Sequence, residues 1–155
     1  MWLERIANRP DLVLPVAEQM RESDRREIFA TRWDDDTAAL AGEAVELGRL
    51  VGWVSGLERP IAAFGCYEMW PNVYSMWLFA TDDFRRIGIS MTKLITRSIV
   101  PMLFKAGAHR LEARSMEGHH EAQRWLEMIG AKREATLRGY GREGQDFHVY
   151  AWEKC

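Results

Sequence analysis

The sequence predicts a single α+β domain built on a mixed sheet, and three observations carry that expectation. Apolar residues recur at helical spacing over the first third of the chain. Three short strand-like runs follow, joined by tight polar turns, which makes them antiparallel neighbours. A strand, a long helix and another strand come next, an order that places two strands parallel.

The length of 155 residues suits one domain with one core, and 47% hydrophobic residues exclude a disordered chain. A net charge of −2 with no basic stripe argues against general nucleic-acid binding. No apolar run reads as transmembrane length, and Met1-Trp2-Leu3-Glu4-Arg5 lacks the apolar core of a signal peptide. No membrane association is therefore expected. Cys66 and Cys155 form no disulfide framework and lack metal-ligand spacing, which fits a reducing cytoplasm. Seven Trp either fill a core or mark an interface, and a homodimer is one way to bury them.

In chain order, residues 2–6 read as a short strand. Pro10 opens a helix whose face is Leu12, Val13, Val16, Ala17 and Met20. Ser23 is the candidate N-cap of a second helix, and Asp34-Asp35-Asp36 starts a third that ends at Gly48. Strands are expected over residues 50–55, 61–67 and 73–80. Met91, Leu94, Ile95, Ile99 and Leu103 then mark a buried helix face, which Pro101 should kink or restart. A strand over 109–115, a helix over 117–129 stopped by Gly130, and a final hairpin over 132–152 complete the chain.

Between the strand over 73–80 and the long helix stands Thr81-Asp82-Asp83-Phe84-Arg85-Arg86-Ile87-Gly88-Ile89-Ser90. It reads as a polar turn and a glycine loop opening a helix. Free amides at a helix start, aided by the helix dipole, form a phosphate site. Gly88 lets a ligand approach, and Arg85 and Arg86 add positive charge. An ordinary loop with solvated arginines explains the same residues.

This order, with Arg85-Arg86-Ile87-Gly88-Ile89-Ser90 at its centre, resembles the GNAT superfamily of N-acetyltransferases, whose pyrophosphate loop reads Arg/Gln-x-x-Gly-x-Gly/Ala. The resemblance extends from about residue 12 onward. Leu126-Glu127-Met128-Ile129-Gly130-Ala131 stands at the family's last helix end. The segments 17–27 and 124–132 look most like bacteriophage acetyltransferase-like proteins, some of them encoded among virion genes.

The resemblance implies a GNAT-like sheet, with parallel fourth and fifth strands splayed at a coenzyme A site, and an acetyl transfer from acetyl-CoA to an amine. The acceptor would be a small amine or a host or phage protein. The setting would be the cytoplasm of an infected bacterium, with the virion as another location. Leu78, Phe79 and Ala80 would bind the pantetheine arm. Arg85, Arg86, Ile87, Gly88, Ile89 and Ser90 would bind the pyrophosphate.

The family's general-acid Tyr position holds Leu126, and His119 replaces a common Asn. Glu68 and Glu112 are the candidate bases, Glu68 first, with His119 behind them. A solvent-facing glutamate and a solvated histidine at a helix start are the plainer readings. Trp70, Pro71 and Tyr74 either line an acceptor entrance or cap the sheet. The competing function is a catalytically silent protein of the same fold, acting as a virion component or a host-protein-binding module.

Overall fold

The computed structural model describes residues 1–154; Cys155 lies outside the described residues. Seven strands form one sheet in the order β1-β2-β3-β4-β5-β7-β6. They are β1 (Trp2–Arg5), β2 (Val51–Gly56), β3 (Pro60–Trp70), β4 (Val73–Ala80), β5 (Arg110–Met116), β6 (Lys132–Leu137) and β7 (Phe147–Glu153). Among the described residues, only β4 and β5 pair in parallel. This is the expected mixed α+β architecture, with β7 placed between β5 and β6 by the final hairpin.

Two apolar layers cover the sheet. On one face, α1 (Pro10–Glu18) and α3 (Thr37–Leu47) bury Val13, Val16, Leu40 and Ala44 against Val54, Ala63 and Phe79. On the other, the helical run from Phe84 to Lys105 and α6 (His120–Met128) bury Ile87, Met91, Ile99 and Leu126 against Phe64, Leu111 and Tyr150. Strand alternation explains the split, since neighbours such as Ala62 and Ala63 face opposite layers.

The long helix consists of α4 (Phe84–Leu94), a π-helical turn (Ile95–Ile99) and α5 (Val100–Lys105). Pro101 has no N–H and disturbs the preceding turn. The widened turn absorbs it, and the Val100 N–H reaches back to the Ile95 carbonyl. The whole run has 22 residues, long enough and over part of its length apolar enough to cross a membrane by length and composition alone. Phe84, Ile87, Met91, Ile95 and Ile99 of this run are packed into the core.

Asp36 caps α3 as expected, accepting the Ala39 N–H at 3.0 Å. Ser23 does not cap α2 (Glu22–Ala30), whose N-cap is Arg21, two residues earlier. The reason is tertiary. Arg21 donates its backbone N–H to the Ala80 carbonyl at 2.9 Å, which fixes the chain direction before the helix starts.

Candidate functional site

The β4–β5 pairing is short. Val73, Tyr74 and Ser75 meet Arg110, Leu111 and Glu112, and then the strands part. Residues 76–80 of β4 have no partner on β5, whose remaining residues stay paired with β7. A cavity of about 300 Å³ fills the opening. Thr31, Arg32 and Leu40 line it on the α2–α3 side, and Ile95, Leu126 and Ile129 on the other. It therefore passes through the sheet where the two strands diverge. Exposed Thr31, Glu43 and Tyr140 rim its outer end.

A buried charged cluster borders this cavity. Asp24, on the first turn of α2, is 2% exposed. Its Oδ2 accepts the Ala80 N–H at 2.9 Å and lies 3.0 Å from Arg21 Nε. His119, the residue before α6, is also buried. Its Nδ1 lies 3.2 Å from Glu27 Oε1, and its Nε2 lies 3.5 Å from Asp24 Oδ1. Glu27 Oε1 also accepts the Met116 N–H at 2.6 Å. The cluster thus ties α2 to β4 and to the entry of α6.

Burial raises the Asp24 carboxyl above its ordinary range, against the pull of Arg21. Burial alone would lower the His119 imidazole, but its hydrogen bond to Glu27 and the charges of Glu27 and Asp24 outweigh that and raise it. Two carboxylates around an imidazole can share and release one proton. Such a group suits general acid–base work.

The glycine segment is arranged differently from its sequence reading. Thr81 accepts the Asp83 N–H on Oγ1 at 3.3 Å and the Phe84 N–H on its carbonyl at 3.1 Å. That turn starts α4 at Phe84, so Gly88 lies in the second helical turn and not in a loop. The Arg86 N–H goes to the Asp83 carbonyl, and the amides of Gly88, Ile89 and Ser90 fall within the i→i−4 ladder. Arg86 is paired with Glu58 at 2.8 Å and 3.1 Å, a contact that lowers the Glu58 carboxyl to about 2. Arg85 is exposed and makes no ion pair among the described residues. The space beside Gly88 is open, with nothing within 4 Å of where a Cβ would stand.

The β4 edge is also partly taken. Ala80 gives its N–H to Asp24 and its carbonyl to Arg21, and Met20 bridges Thr81. Phe79 is buried and, by strand alternation, turns its backbone to β3. The backbone of Leu78 is next along the edge that faces the opening. Phe84 meets Trp125 edge-on at 5.4 Å, and the Trp125 indole donates to Thr92 Oγ1 at 2.9 Å, joining α6 to α4. Gly88 thus borders open space, while the Ala80 N–H and carbonyl are taken by α2 and the residue before it.

Glu68 and Glu112 stand away from the cavity. Exposed Glu68 caps the β3–β4 turn, accepting the Asn72 N–H at 2.7 Å, at the opposite end of β4 from Ala80. Glu112 is buried between Arg110 at 3.0 Å and Arg114 at 3.3 Å. Trp70, 60% exposed, sits at that same turn, outside the cavity lining. His119 is brought to the cavity, not left in solvent as the plainer reading expects. Leu126 is both a core residue and part of the cavity wall. Arg21, Asp24 and Glu27 were missed. Their one sequence signal is the dense charge of residues 21–27, which reads equally well as a solvated helix face. Among the described residues, no group of three His, Cys, Asp or Glu is arranged to hold a metal ion.

Neither a protein-family model nor a curated protein sequence matches the chain. Solved structures do match, over nearly its whole length. A GNAT-family acetyltransferase from Bacillus anthracis shares 16% identity, covers 97% of this chain and 93% of its own, and has a TM-score of 0.70. A ribosomal-protein-alanine N-acetyltransferase from Brucella melitensis shares 14% identity, with 99% and 100% coverage and a TM-score of 0.73. An aminoglycoside 6'-acetyltransferase type Ii shares 14% identity, with 99% and 97% coverage and a TM-score of 0.71. The chain has the GNAT fold, with the mixed sheet and parallel β4 and β5 of that architecture.

Proposed function

We propose that this protein is an N-acyltransferase that moves an acetyl group from acetyl-CoA to an amine seated in the through-sheet cavity. One observation carries the reading: the cavity at the β4–β5 divergence is bordered by the buried Asp24–Glu27–His119 cluster. An alkylammonium is mostly protonated near pH 7, so a group beside it must accept a proton before the nitrogen can attack. The cluster takes that role in place of Glu68 and Glu112. The donor supplies an activated acyl group. Leu126 has no proton to give, so a leaving thiolate departs without a side-chain acid.

Donor binding then requires two local changes. Asp24 and Arg21 must release the Ala80 N–H and carbonyl, beside those of Leu78, while Glu27 and His119 stay paired as the proton-accepting group. The first turn of α4 must unwind toward Gly88, which frees amides beside Arg85 and Arg86. The fold resemblance supports acetyl-CoA as the donor. The acceptor on a host or phage protein, and a bacterial cytoplasmic or virion setting, rest on the sequence resemblance alone.

A second reading is favoured by the closed donor side. With Ala80 taken by α2 and Gly88 inside a helix, the chain also suits a silent module that binds a protein partner. Calorimetric titration of the folded protein with acetyl-CoA and with CoA separates the two. Saturable binding supports the transferase; absence of binding by both, up to millimolar ligand, supports the module.

A further inference from the structure

Thr136, His148 and Glu117 form a second cluster, and none of them lines the cavity. Thr136 and His148 stand directly opposite each other in the β6–β7 pairing. Glu117 follows Met116, the last residue of β5, and its backbone N–H is held by the Asp146 carbonyl at 2.9 Å. The three side chains meet in a line. Thr136 Oγ1 lies 2.9 Å from His148 Nδ1, and Glu117 Oε2 is bonded to His148 Nε2.

The partners fix the direction of each bond. An ionised carboxylate only accepts, so His148 Nε2 carries a hydrogen. In the neutral ring Nδ1 is then an acceptor, and the Thr136 hydroxyl is its donor. A hydroxyl bonded to an imidazole whose other nitrogen is held by a carboxylate is the arrangement that activates a hydroxyl nucleophile. His148 is 4% exposed, which fixes the ring. Thr136 is exposed on β6, the last strand of the sheet, so a small molecule can reach it.

We propose that Thr136 is an acyl acceptor, whose hydroxyl takes the acyl group of a small activated ester or thioester. His148 is the base and Glu117 its positioning residue. The Thr136 Oγ1 forms a bond to the acyl carbon, and the bond from that carbon to the leaving oxygen or sulfur breaks. The hydroxyl proton passes to His148 Nδ1 and from there to the leaving group. The products are an O-acyl threonine and a free phenol or thiol. The inference does not rest on the cavity or on amine transfer.

The test is peptide mass spectrometry of the full chain after exposure, at about pH 8 where an ordinary imidazole is neutral, to p-nitrophenyl acetate or phenyl thioacetate. Hydroxylamine then separates esters, which it cleaves, from lysine amides, which it leaves. The expected result is a hydroxylamine-sensitive acetyl group at Thr136, formed at least about tenfold faster than at exposed Ser98. Labelling by both probes admits thioesters as donors; labelling by the aryl ester alone restricts the donor to esters. His148→Gln and Glu117→Gln should each remove the advantage over Ser98, and Thr136→Ser should keep it. Glu117 is the exposed member, so its variant tests the relay even where His148→Gln fails to fold. Glutamine can still accept the Nε2 hydrogen, so a purely structural role would survive Glu117→Gln, and Glu117→Asp should recover part of the rate. No ester at Thr136, a rate no faster than at Ser98, or an unchanged rate in Glu117→Gln overturns the inference.

Discussion

Asp24 and Ala80 are joined by a 2.9 Å hydrogen bond that runs from the open edge of β4 to the first turn of α2. The bond uses a backbone donor at the end of a strand whose neighbour has diverged. It also holds a carboxylate, almost fully buried, beside Arg21 and His119. One contact therefore sets both the closure of the donor side and the charge of the cavity wall.

Asp24→Ala should leave the Ala80 N–H buried without an acceptor and lower stability by about 1–3 kcal/mol. Amide exchange at Ala80 should accelerate beyond the global change. If the edge is the donor site, acetyl-CoA affinity should rise by at least about tenfold in the same variant, since the competing group is gone. Unaltered Ala80 exchange in a folded variant would show that Asp24 does not hold this edge.

Stability should fall as pH rises above the ordinary imidazole value of 6.5, and the His119 part should disappear in His119→Gln. His119 is raised above its ordinary value of 6.5 in the folded protein. Its stabilising contribution is thus fully present below that value and is lost as pH climbs through the higher folded value. Asp24 is raised above 3.8, so it too favours the folded state at lower pH, with its loss beginning in the carboxylate range. Thermal melts across this pH range, for wild type and variant, read the sign directly.

Gly88→Ala should stabilise the protein by about 0.5–1 kcal/mol, because glycine in a helix interior is costly and the site has room. If Gly88 serves the donor, the same substitution should weaken acetyl-CoA binding. Denaturant midpoints and titration on one preparation measure both. A destabilised variant would mean that α4 does not begin at Phe84 in solution.

The fold was largely legible because its signals are local. Pro10, Asp36, Gly130 and the tight turns between short apolar runs each mark an element boundary by nearby chemistry. The strand–helix–strand order made β4 and β5 parallel, and the family resemblance supplied their divergence. The site was less legible because its parts meet only in space. Asp24 and Glu27 look like surface residues until α2 is laid across the end of β4. His119 looks solvated until Glu27 arrives from a helix more than ninety positions upstream. Gly88 drew the eye to a loop, but Thr81 and Asp83 begin the helix earlier, through hydrogen bonds no glycine rule anticipates.

Leu126→Tyr adds a hydroxyl to the cavity wall at the position where the sequence resemblance implies an acid. Turnover should rise by about 10²-fold where departure of the thiolate limits the rate, with acceptor KM little changed. An unchanged rate in a folded variant would place the slow step elsewhere.

The central claim is that the Asp24–Glu27–His119 cavity is a transferase acceptor site, and amine-dependent release of CoA thiol from acetyl-CoA tests it most directly. With a primary amine as acceptor, thiol release should exceed the amine-free rate and fall by about 10²-fold or more in Glu27→Gln. Thiol release that ignores the amine, or that Glu27→Gln leaves intact, contradicts the account.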